Sequence, residues 1–192
     1  MVQAKKPRAS YADLASAPAD KIAEIIDGDL TLMPRPAGPA VGTGSDLGIL
    51  LGNPFRFGRG GPGGWLIYDE PELRLGEDVV VPDLAGWRRE RLGDAPGESY
   101  RTVSPDWVCE VLSPSTQRHD RVRKMPLYAR ERVAHVWLVE PVVRTVEAFR
   151  LDGDRWVLLG TWGDDDVASI PPFEAVPLEL ALLWTASPPK AT

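Results

Sequence analysis

The chain has 192 residues, of which 43% are hydrophobic and 26% are charged, and its formal net charge is −6. These values are ordinary for one globular domain and argue against disorder, collagen and coiled coil. The acidic balance also argues against a protein that coats nucleic acid with its whole surface. A single cysteine, Cys109, leaves no intrachain disulfide and no cysteine zinc cluster, which favours a reducing, cytoplasmic setting.

Neither a membrane segment nor a nucleotide-binding loop is predicted. No stretch approaches 18 consecutive apolar residues, and no apolar run follows the basic N-terminus as it would in a signal peptide. The glycine-rich run 59–64 lacks the Lys-Ser/Thr ending of a phosphate-binding loop. We therefore expect no membrane association and no nucleotide cofactor.

The predicted elements follow in chain order from hydrophobic periodicity and turn residues. Residues 1–9 are predicted to be a flexible tail and 11–17 a short helix, and Asp27-Gly28 is a strong two-residue hairpin signal. Further helices are predicted at 43–57, 117–132 and 178–184, and strands at 65–75, 79–81, 107–112, 133–139, 144–151 and 155–161. This pattern indicates one α/β (α+β) domain over 10–185 with a mixed sheet, followed by a tail at 186–192.

Glu110 is the one charged residue of the apolar strand predicted at 107–112. Alternation along a strand places it on the same face as Val108 and Leu112. An ionised carboxylate on a buried face is costly unless a cation or a metal pairs with it. The alternatives are an edge strand with Glu110 in water and a structural salt bridge.

Two further positions carry candidate chemistry. Asp83 directly follows Pro82, and proline belongs at a strand end, so Asp83 lies where a sheet opens, although turn aspartates share this pattern. Asp120 and Lys124 are four residues apart and share one face of the predicted helix, as surface ion pairs also do. Pro126 predicts a bend in that helix just after Lys124.

Together, Asp83 and Glu110 could converge on one divalent metal, because hard oxygen ligands suit Mg²⁺ or Mn²⁺. A nearby lysine would complete a site that cleaves phosphodiester bonds. In such a site the metal lowers the pKa of a bound water, and the lysine balances the charge that develops in the transition state.

Pro82-Asp83 followed by Glu110-Val111-Leu112 resembles the PD-(D/E)XK nuclease superfamily, with Leu112 in the place of the usual lysine. The wider pattern is similar to the Uma-type restriction endonuclease family, in which the lysine lies on the following helix. That pattern covers about residues 10–185 and comprises 24–28, 64–73, 82–91, 109–116, Asp120, Lys124, Tyr128 and 136–139.

The resemblance implies a restriction-endonuclease-like core, with helices flanking a central mixed sheet, and a homodimer that cleaves DNA with Mg²⁺ or Mn²⁺. It implies that Asp83 and Glu110 hold the metal, with the backbone carbonyl of Val111 as a third ligand. Lys124 would be the catalytic lysine.

The same resemblance implies two auxiliary roles and shows one departure. Glu24 would ligate a second metal or order a water molecule, and Asp120 would orient Lys124 or cap the helix. The family often has a histidine near residues 39–40, where this chain has Ala40.

Basic residues are concentrated around the predicted helix that contains Lys124, since residues 116–132 contain six basic and two acidic side chains. This is consistent with phosphate contacts, and ordinary solvated surface is the alternative. Weak nucleic-acid contacts are predicted for Arg88, Arg89, Arg121 and Arg123. Trp87, which precedes two of them, is more typical of a core than of a base-stacking platform.

A metal-dependent endonuclease acting on DNA is the leading hypothesis, and its alternative is a non-catalytic dimeric binding or regulatory protein that retains the nuclease fold. The acidic net charge favours the alternative. The intact set of carboxylates and lysine favours the enzyme. A glycosidase with a carboxylate pair would not require the neighbouring lysine.

Overall fold

The structure is a computed structural model that describes residues 7–35, 37–92 and 99–184. The strands of these segments are β1 (Lys21–Ile26), β2 (Asp29–Pro34), β3 (Trp65–Asp69), β4 (Glu72–Leu75), β5 (Asp78–Val80), β6 (Leu84–Arg88), β7 (Tyr100–Arg101), β8 (Trp107–Val111), β9 (His135–Glu140), β10 (Thr145–Asp152), β11 (Arg155–Gly163), β12 (Val167–Ala168) and β13 (Leu178–Glu179). The α-helices are α1 (Tyr11–Ala15), α2 (Pro39–Leu51), α3 (Arg89–Leu92), α4 (Gln117–His119) and α5 (Met125–Arg130). A π-helical turn extends α2 over Gly52–Arg56, another joins α4 to α5 over Asp120–Lys124, and a 3₁₀ helix spans Leu180–Trp184.

Two larger sheets organise the described residues. The central sheet has the strand order β11-β10-β9-β8-β6-β3, and the outer sheet has the order β2-β1-β5-β4-β7. In the central sheet β8 and β9 pair in parallel, whereas the other neighbours are antiparallel. The parallel pair requires a crossover, which α4, the π-helical turn and α5 provide. This mixed sheet with flanking helices confirms the predicted fold class.

Both faces of the central sheet are buried at its middle strands, and β8 shows how the two faces differ. Trp107 and Cys109 point to the side that packs against α2 and the segment 168–184, which we call the aromatic face. Val108 and Leu112 point to the side that packs against α5 and the outer sheet. Glu110 shares that second side, as the period of two predicts, and we call it the charged face.

The hairpin predicted at Asp27-Gly28 is confirmed, with β1 and β2 pairing from Lys21↔Pro34 to Ile26↔Asp29. Asp27 and Gly28 have φ angles of 56° and 83°. Positive φ at both central residues is what a tight type I′ hairpin turn requires. This turn fixes the register that buries Glu24 and exposes Lys21.

The strand predicted at 65–75 is wrong as one element. It divides at Glu70-Pro71 into β3, in the central sheet, and β4, in the outer sheet. The sequence pattern does not predict β6, which passes between the Trp65 and Trp107 rings at Gly86. A Cβ atom at Gly86 would lie 3.2 Å from the Trp107 ring and 3.3 Å from the Trp65 ring, so glycine permits this close packing.

The helix predicted at 117–132 exists in three pieces, with its irregular turn at Asp120–Lys124 rather than after Lys124. Pro126 has no N–H group for the carbonyl of Val122, so a regular α-helical pattern cannot run through it. The helix predicted at 43–57 likewise begins earlier, at Pro39, and its last turn is π-helical around Pro54. The end predicted as a helix at 178–184 is the short strand β13 followed by a 3₁₀ helix.

Residues 8 and 9, which the sequence places in a flexible tail, contact the outer sheet. The Ala9 N–H donates to the Gly28 carbonyl at 2.8 Å, and Arg8 pairs with Glu77 at 2.7 Å. Residues 1–6 of that tail and the tail predicted at 186–192 lie outside the described residues. No helix in the part of the chain that the structure describes is long and apolar enough to cross a membrane.

Candidate active site

Glu110 lies at the centre of the charged face with 2% of its surface exposed. The Tyr128 hydroxyl donates a hydrogen bond to its Oε1, and the Lys124 ammonium donates to its Oε2 at 2.9 Å. The carboxylate is therefore neither in water at an edge nor without a partner. These two partners offset part of the free-energy cost of burying the carboxylate.

Lys124 projects from the π-helical turn and is also 2% exposed. Besides Glu110, its Nζ lies 3.1 Å from Oε1 of Glu24 and donates to the Val81 carbonyl at 3.3 Å. Asp120, on the same turn, has its Oδ1 at 3.7 Å. The pair Asp120 and Lys124 thus shares a face as predicted, but that face is buried and not a solvated surface.

Asp83 lies between β5 and β6, directly before β6 enters the central sheet. Its Oδ2 accepts a hydrogen bond from the Val111 N–H at 2.7 Å, which ties the start of β6 to the end of β8. Asp83 and Glu110 line one cavity of about 40 Å³, together with Val111, Asp120 and Lys124. The structure thus brings the predicted carboxylates and the predicted lysine to one small space.

Glu24 comes from β1 of the outer sheet and has no exposed surface. Its Oε1 accepts from the Val81 N–H at 2.8 Å, and its Oε2 lies 2.7 Å from Nε2 of His119. Glu24 contacts Lys124 but does not line the cavity. The structure therefore joins Glu24 to the lysine rather than to Asp83.

Burial and an excess of carboxylates control the ionisation of the charged cluster, which consists of Glu24, Asp83, Glu110, Asp120 and Lys124. Burial raises the pKa of Asp83 to about 6, against the attraction of Lys124, and raises the pKa of Glu110 well above its usual value. Burial also disfavours the Lys124 ammonium, but Glu110 and the other carboxylates outweigh it and raise the pKa of Lys124. Four carboxylates share this one ammonium group, so the cluster favours the approach of further positive charge.

Glu24 shows the opposite behaviour to Glu110. Burial opposes its ionisation, but Lys124, His119 and the Val81 amide together hold its pKa below the usual value. Asp120 behaves like Glu110, because burial raises its pKa despite the nearby Lys124. Glu24 is therefore the carboxylate of the cluster that the protein itself keeps ionised.

The donor set suits a hard divalent cation. Among residues 7–35, 37–92 and 99–184, no three His, Cys, Asp or Glu side chains are arranged to hold a metal by themselves. Mg²⁺ does not need such a cage, because it usually binds one or two carboxylates and keeps several waters. Asp83 and Glu110 supply carboxylate oxygens at the wall of the cavity, which Val111 also lines, and 40 Å³ has room for an ion or a few waters.

The four arginines predicted as weak nucleic-acid contacts do not line this cavity. Arg89 is exposed on α3, whereas the other three contact groups of the protein itself. Those contacts are the Trp65 ring under Arg88, Glu147 beside Arg121, and the Ile26 carbonyl beside Arg123. Trp87 is fully buried, which confirms it as a core residue.

Two residues that contact the charged cluster received no role from the sequence. Tyr128 follows Lys124 by four residues, as Lys124 follows Asp120, so helical spacing could have placed all three on one face. His119 reaches Glu24 across 95 residues of sequence, and no local spacing indicates that contact.

The fold defines the class of protein. The chain is similar in fold to a protein from Anabaena variabilis ATCC 29413 whose crystal structure is described as that of a "putative nuclease belonging to DUF820". The two chains are 19% identical, the match covers 92% of this chain and 98% of the other, and the TM-score is 0.73, which shows a shared nuclease fold.

The family follows from the sequence. The model of the Uma2 family, whose description is "Putative restriction endonuclease", matches residues 8–183, and the chain belongs to that family. This confirms the resemblance drawn from the ordered motifs. No curated protein matches the chain.

Proposed function

We propose that this protein is a divalent-metal-dependent endonuclease that hydrolyses phosphodiester bonds of DNA at the cavity lined by Asp83, Glu110 and Lys124. The observation that carries the proposal is the convergence of these three side chains on one cavity of about 40 Å³. Membership of a family of restriction-endonuclease-like proteins supports the same reaction class.

Asp83 and Glu110 would hold the metal, Mg²⁺ or Mn²⁺, with the Val111 carbonyl as a third ligand. When bound, such an ion lowers the pKa of a water molecule and shields the phosphate charge. The Val111 N–H fixes one oxygen of Asp83, and Tyr128 fixes one oxygen of Glu110. Hydrogen bonds of this kind orient ligands before the ion arrives.

Lys124 would act as the catalytic lysine although it does not follow Glu110 by two residues. Leu112 occupies that position and is buried, whereas the Lys124 Nζ lies 2.9 Å from Glu110 Oε2 and lines the cavity. An ammonium at the cavity wall can donate to a phosphate oxygen as negative charge develops there. Asp120, on the same turn, would orient the lysine.

The alternative function is a non-catalytic dimeric binding protein with this fold. The net charge of −6 favours it, because an acidic surface opposes long-range attraction to DNA. The engagement of Arg121 and Arg123 by groups of the protein also favours it. The homodimer and the cytoplasmic location are expected under both functions, and light scattering on the purified protein would measure the dimer.

The experiment measures cleavage of single- and double-stranded DNA and of RNA with Mg²⁺, with Mn²⁺ and with a chelator. Glu110→Gln should lower the metal-dependent rate by at least about 10²-fold, a typical effect of removing one charge-stabilising group. Glu77→Gln makes the same chemical change at an exposed position and should leave the rate unchanged.

The possible outcomes test the site, the substrate and the enzymatic function in turn. Unchanged cleavage in Glu110→Gln would refute the assignment of the site, and cleavage of RNA alone would replace the substrate. Absence of cleavage by the wild type on all three substrates would favour the non-catalytic function.

A further inference from the structure

Glu24 is the carboxylate to which the family resemblance assigns a second metal or a water molecule. Its surroundings do not fit that role. It has no exposed surface, and it does not line the cavity, whereas Glu110 does. Both carboxylates have each oxygen engaged by groups of the protein, so the position of Glu24 outside the cavity is what separates it from the proposed metal ligand.

The partners of Glu24 form a closed ring with the lysine. Glu24 Oε1 accepts a hydrogen bond from the Val81 N–H, and the Val81 carbonyl accepts one from the Lys124 ammonium. The Lys124 Nζ closes the ring, because it lies 3.1 Å from the same Glu24 Oε1. The ring joins three separate parts of the fold: β1, the segment that follows β5, and the π-helical turn. Val81 stands two residues before Asp83, so the ring also fixes the segment that carries a proposed metal ligand.

His119 completes the arrangement from the other side. Its Nε2 lies 2.7 Å from Glu24 Oε2, and its side chain is 12% exposed. With Oε1 held by Val81 and Oε2 held by His119, the Glu24 carboxylate has one defined orientation. A carboxylate held in this way presents a fixed negative charge to the ammonium.

We infer that Glu24 is a positioning residue, which with His119 and the Val81 peptide fixes the Lys124 ammonium at the cavity wall and binds no metal. This inference rests on the proposed function, because it concerns the lysine of that site. It replaces the auxiliary catalytic role expected for Glu24 with a role that acts through Lys124. A misplacement of about 1 Å in a catalytic group can cost about 10²-fold in rate, which is the scale of effect expected.

The test compares Glu24→Gln with Glu110→Gln in the full chain. Isothermal titration with Mn²⁺ measures metal affinity, and cleavage kinetics measure kcat and KM. Glu24→Gln should keep the Mn²⁺ affinity within about threefold and the KM unchanged, but lower kcat by about 10²-fold. Glu110→Gln should lose Mn²⁺ affinity by about tenfold or more.

A third measurement does not depend on metal or on cleavage. An amine-acylating reagent with mass spectrometry reports the reactivity of Lys124 relative to Lys21, whose side chain is 40% exposed. Lys124 should be nearly unreactive in the wild type and several-fold more reactive in Glu24→Gln. Glu72→Gln makes the same change on β4 of the outer sheet and should leave the ratio unchanged.

His119→Gln provides a second variant at a less buried position, should Glu24→Gln fold poorly. It should raise the Lys124 reactivity in the same direction. A loss of Mn²⁺ affinity in Glu24→Gln equal to that in Glu110→Gln would overturn the inference, and so would unchanged Lys124 reactivity in both variants. If the wild type neither cleaves nor binds Mn²⁺, the proposed function fails, but the reactivity ratio still decides the role of Glu24.

Discussion

The aromatic face and the charged face of the central sheet are both buried, but they are held together by different forces. On the aromatic face, Phe173 packs against Trp65, Trp107 and Trp137 at ring-centroid distances of 4.7–5.6 Å. On the charged face, the carboxyl group of Glu110 and the ammonium group of Lys124 are buried 2.9 Å apart and are hydrogen-bonded to each other. A single strand, β8, supplies both faces from alternate residues.

The difference separates the source of stability from the site of function. Buried aromatic rings stabilise a fold mainly through the large apolar area that they remove from water. Buried ions must overcome the cost of leaving water, and a buried ion pair is often no more stable than an apolar pair of the same shape. The raised pKa values of Asp83, Glu110 and Asp120 show that the cost is not fully offset here. Such local cost in an otherwise well-packed fold is typical of functional sites.

The largest effect on stability is expected from Phe173→Ala on the aromatic face. This change leaves a cavity among the tryptophan rings and should lower the free energy of unfolding by about 3–5 kcal/mol. Urea unfolding would measure the loss, and Mn²⁺ titration of the folded protein should show unchanged affinity. If the folded variant loses Mn²⁺ affinity as well, the two faces are not separable.

Asp83→Asn should have the opposite sign and stabilise the protein at neutral pH. The pKa of Asp83 is raised from 3.8 to about 6, so the folded state binds a proton more tightly than the unfolded state. The stability contributed by this group is therefore present below pH 4, falls as pH rises and is lost above pH 6. The substitution should gain at most about 3 kcal/mol above pH 6 and nothing below pH 4.

Denaturant unfolding of both proteins at several pH values measures this difference. Asparagine keeps an oxygen to accept from the Val111 N–H, so the hydrogen bond of Asp83 is preserved. Saturating Mn²⁺ should stabilise the wild type and not the variant, because only a ligand that binds the folded state adds stability. A difference in unfolding free energy that does not change with pH would show that ionisation of Asp83 does not destabilise the folded protein.

Tyr128→Phe should have a smaller effect, on metal affinity. It removes the hydroxyl that holds Glu110 Oε1 and leaves Lys124 on the other oxygen. Loss of a partner that orients a metal ligand typically costs about tenfold in affinity at its lower end. Tyr68→Phe, on β3 of the same sheet, is the matched control in a Mn²⁺ titration. Equal affinities in the two variants would mean that Tyr128 contributes packing alone.

The sequence predicts those parts of the site that depend on local spacing. The period of two places Glu110 on a buried face, the spacing of four joins Asp120 to Lys124, and Asp27-Gly28 fixes the hairpin that presents Glu24. These features are set within one strand, one helix or one turn. The ordered motifs added the family, which matches residues 8–183.

The sequence does not predict the parts that depend on the contact between the two sheets. The segment 65–75 is predicted as one strand because its residues partly alternate between apolar and polar, yet the chain turns at Glu70-Pro71 and the two halves join different sheets. Strand β6 escapes detection because Gly86 interrupts its pattern, although the neighbouring rings require glycine. The contact of His119 with Glu24 exists only because the outer sheet packs against the helical segment 117–130, which carries His119 and Lys124.

The smallest effect that we predict is the difference in unfolding free energy between Trp107→Phe and Trp137→Phe. It tests whether the aromatic face depends on ring packing alone. Both side chains are fully buried and pack edge to face at 5.3 Å. Trp137 Nε1 donates to the Pro171 carbonyl at 2.7 Å, whereas Trp107 Nε1 finds no hydrogen-bond partner among the described residues. The two substitutions remove similar apolar area, but only Trp137→Phe leaves a carbonyl unpaired. It should therefore cost about 1 kcal/mol more in urea unfolding, and equal losses would mean that ring packing outweighs this hydrogen bond.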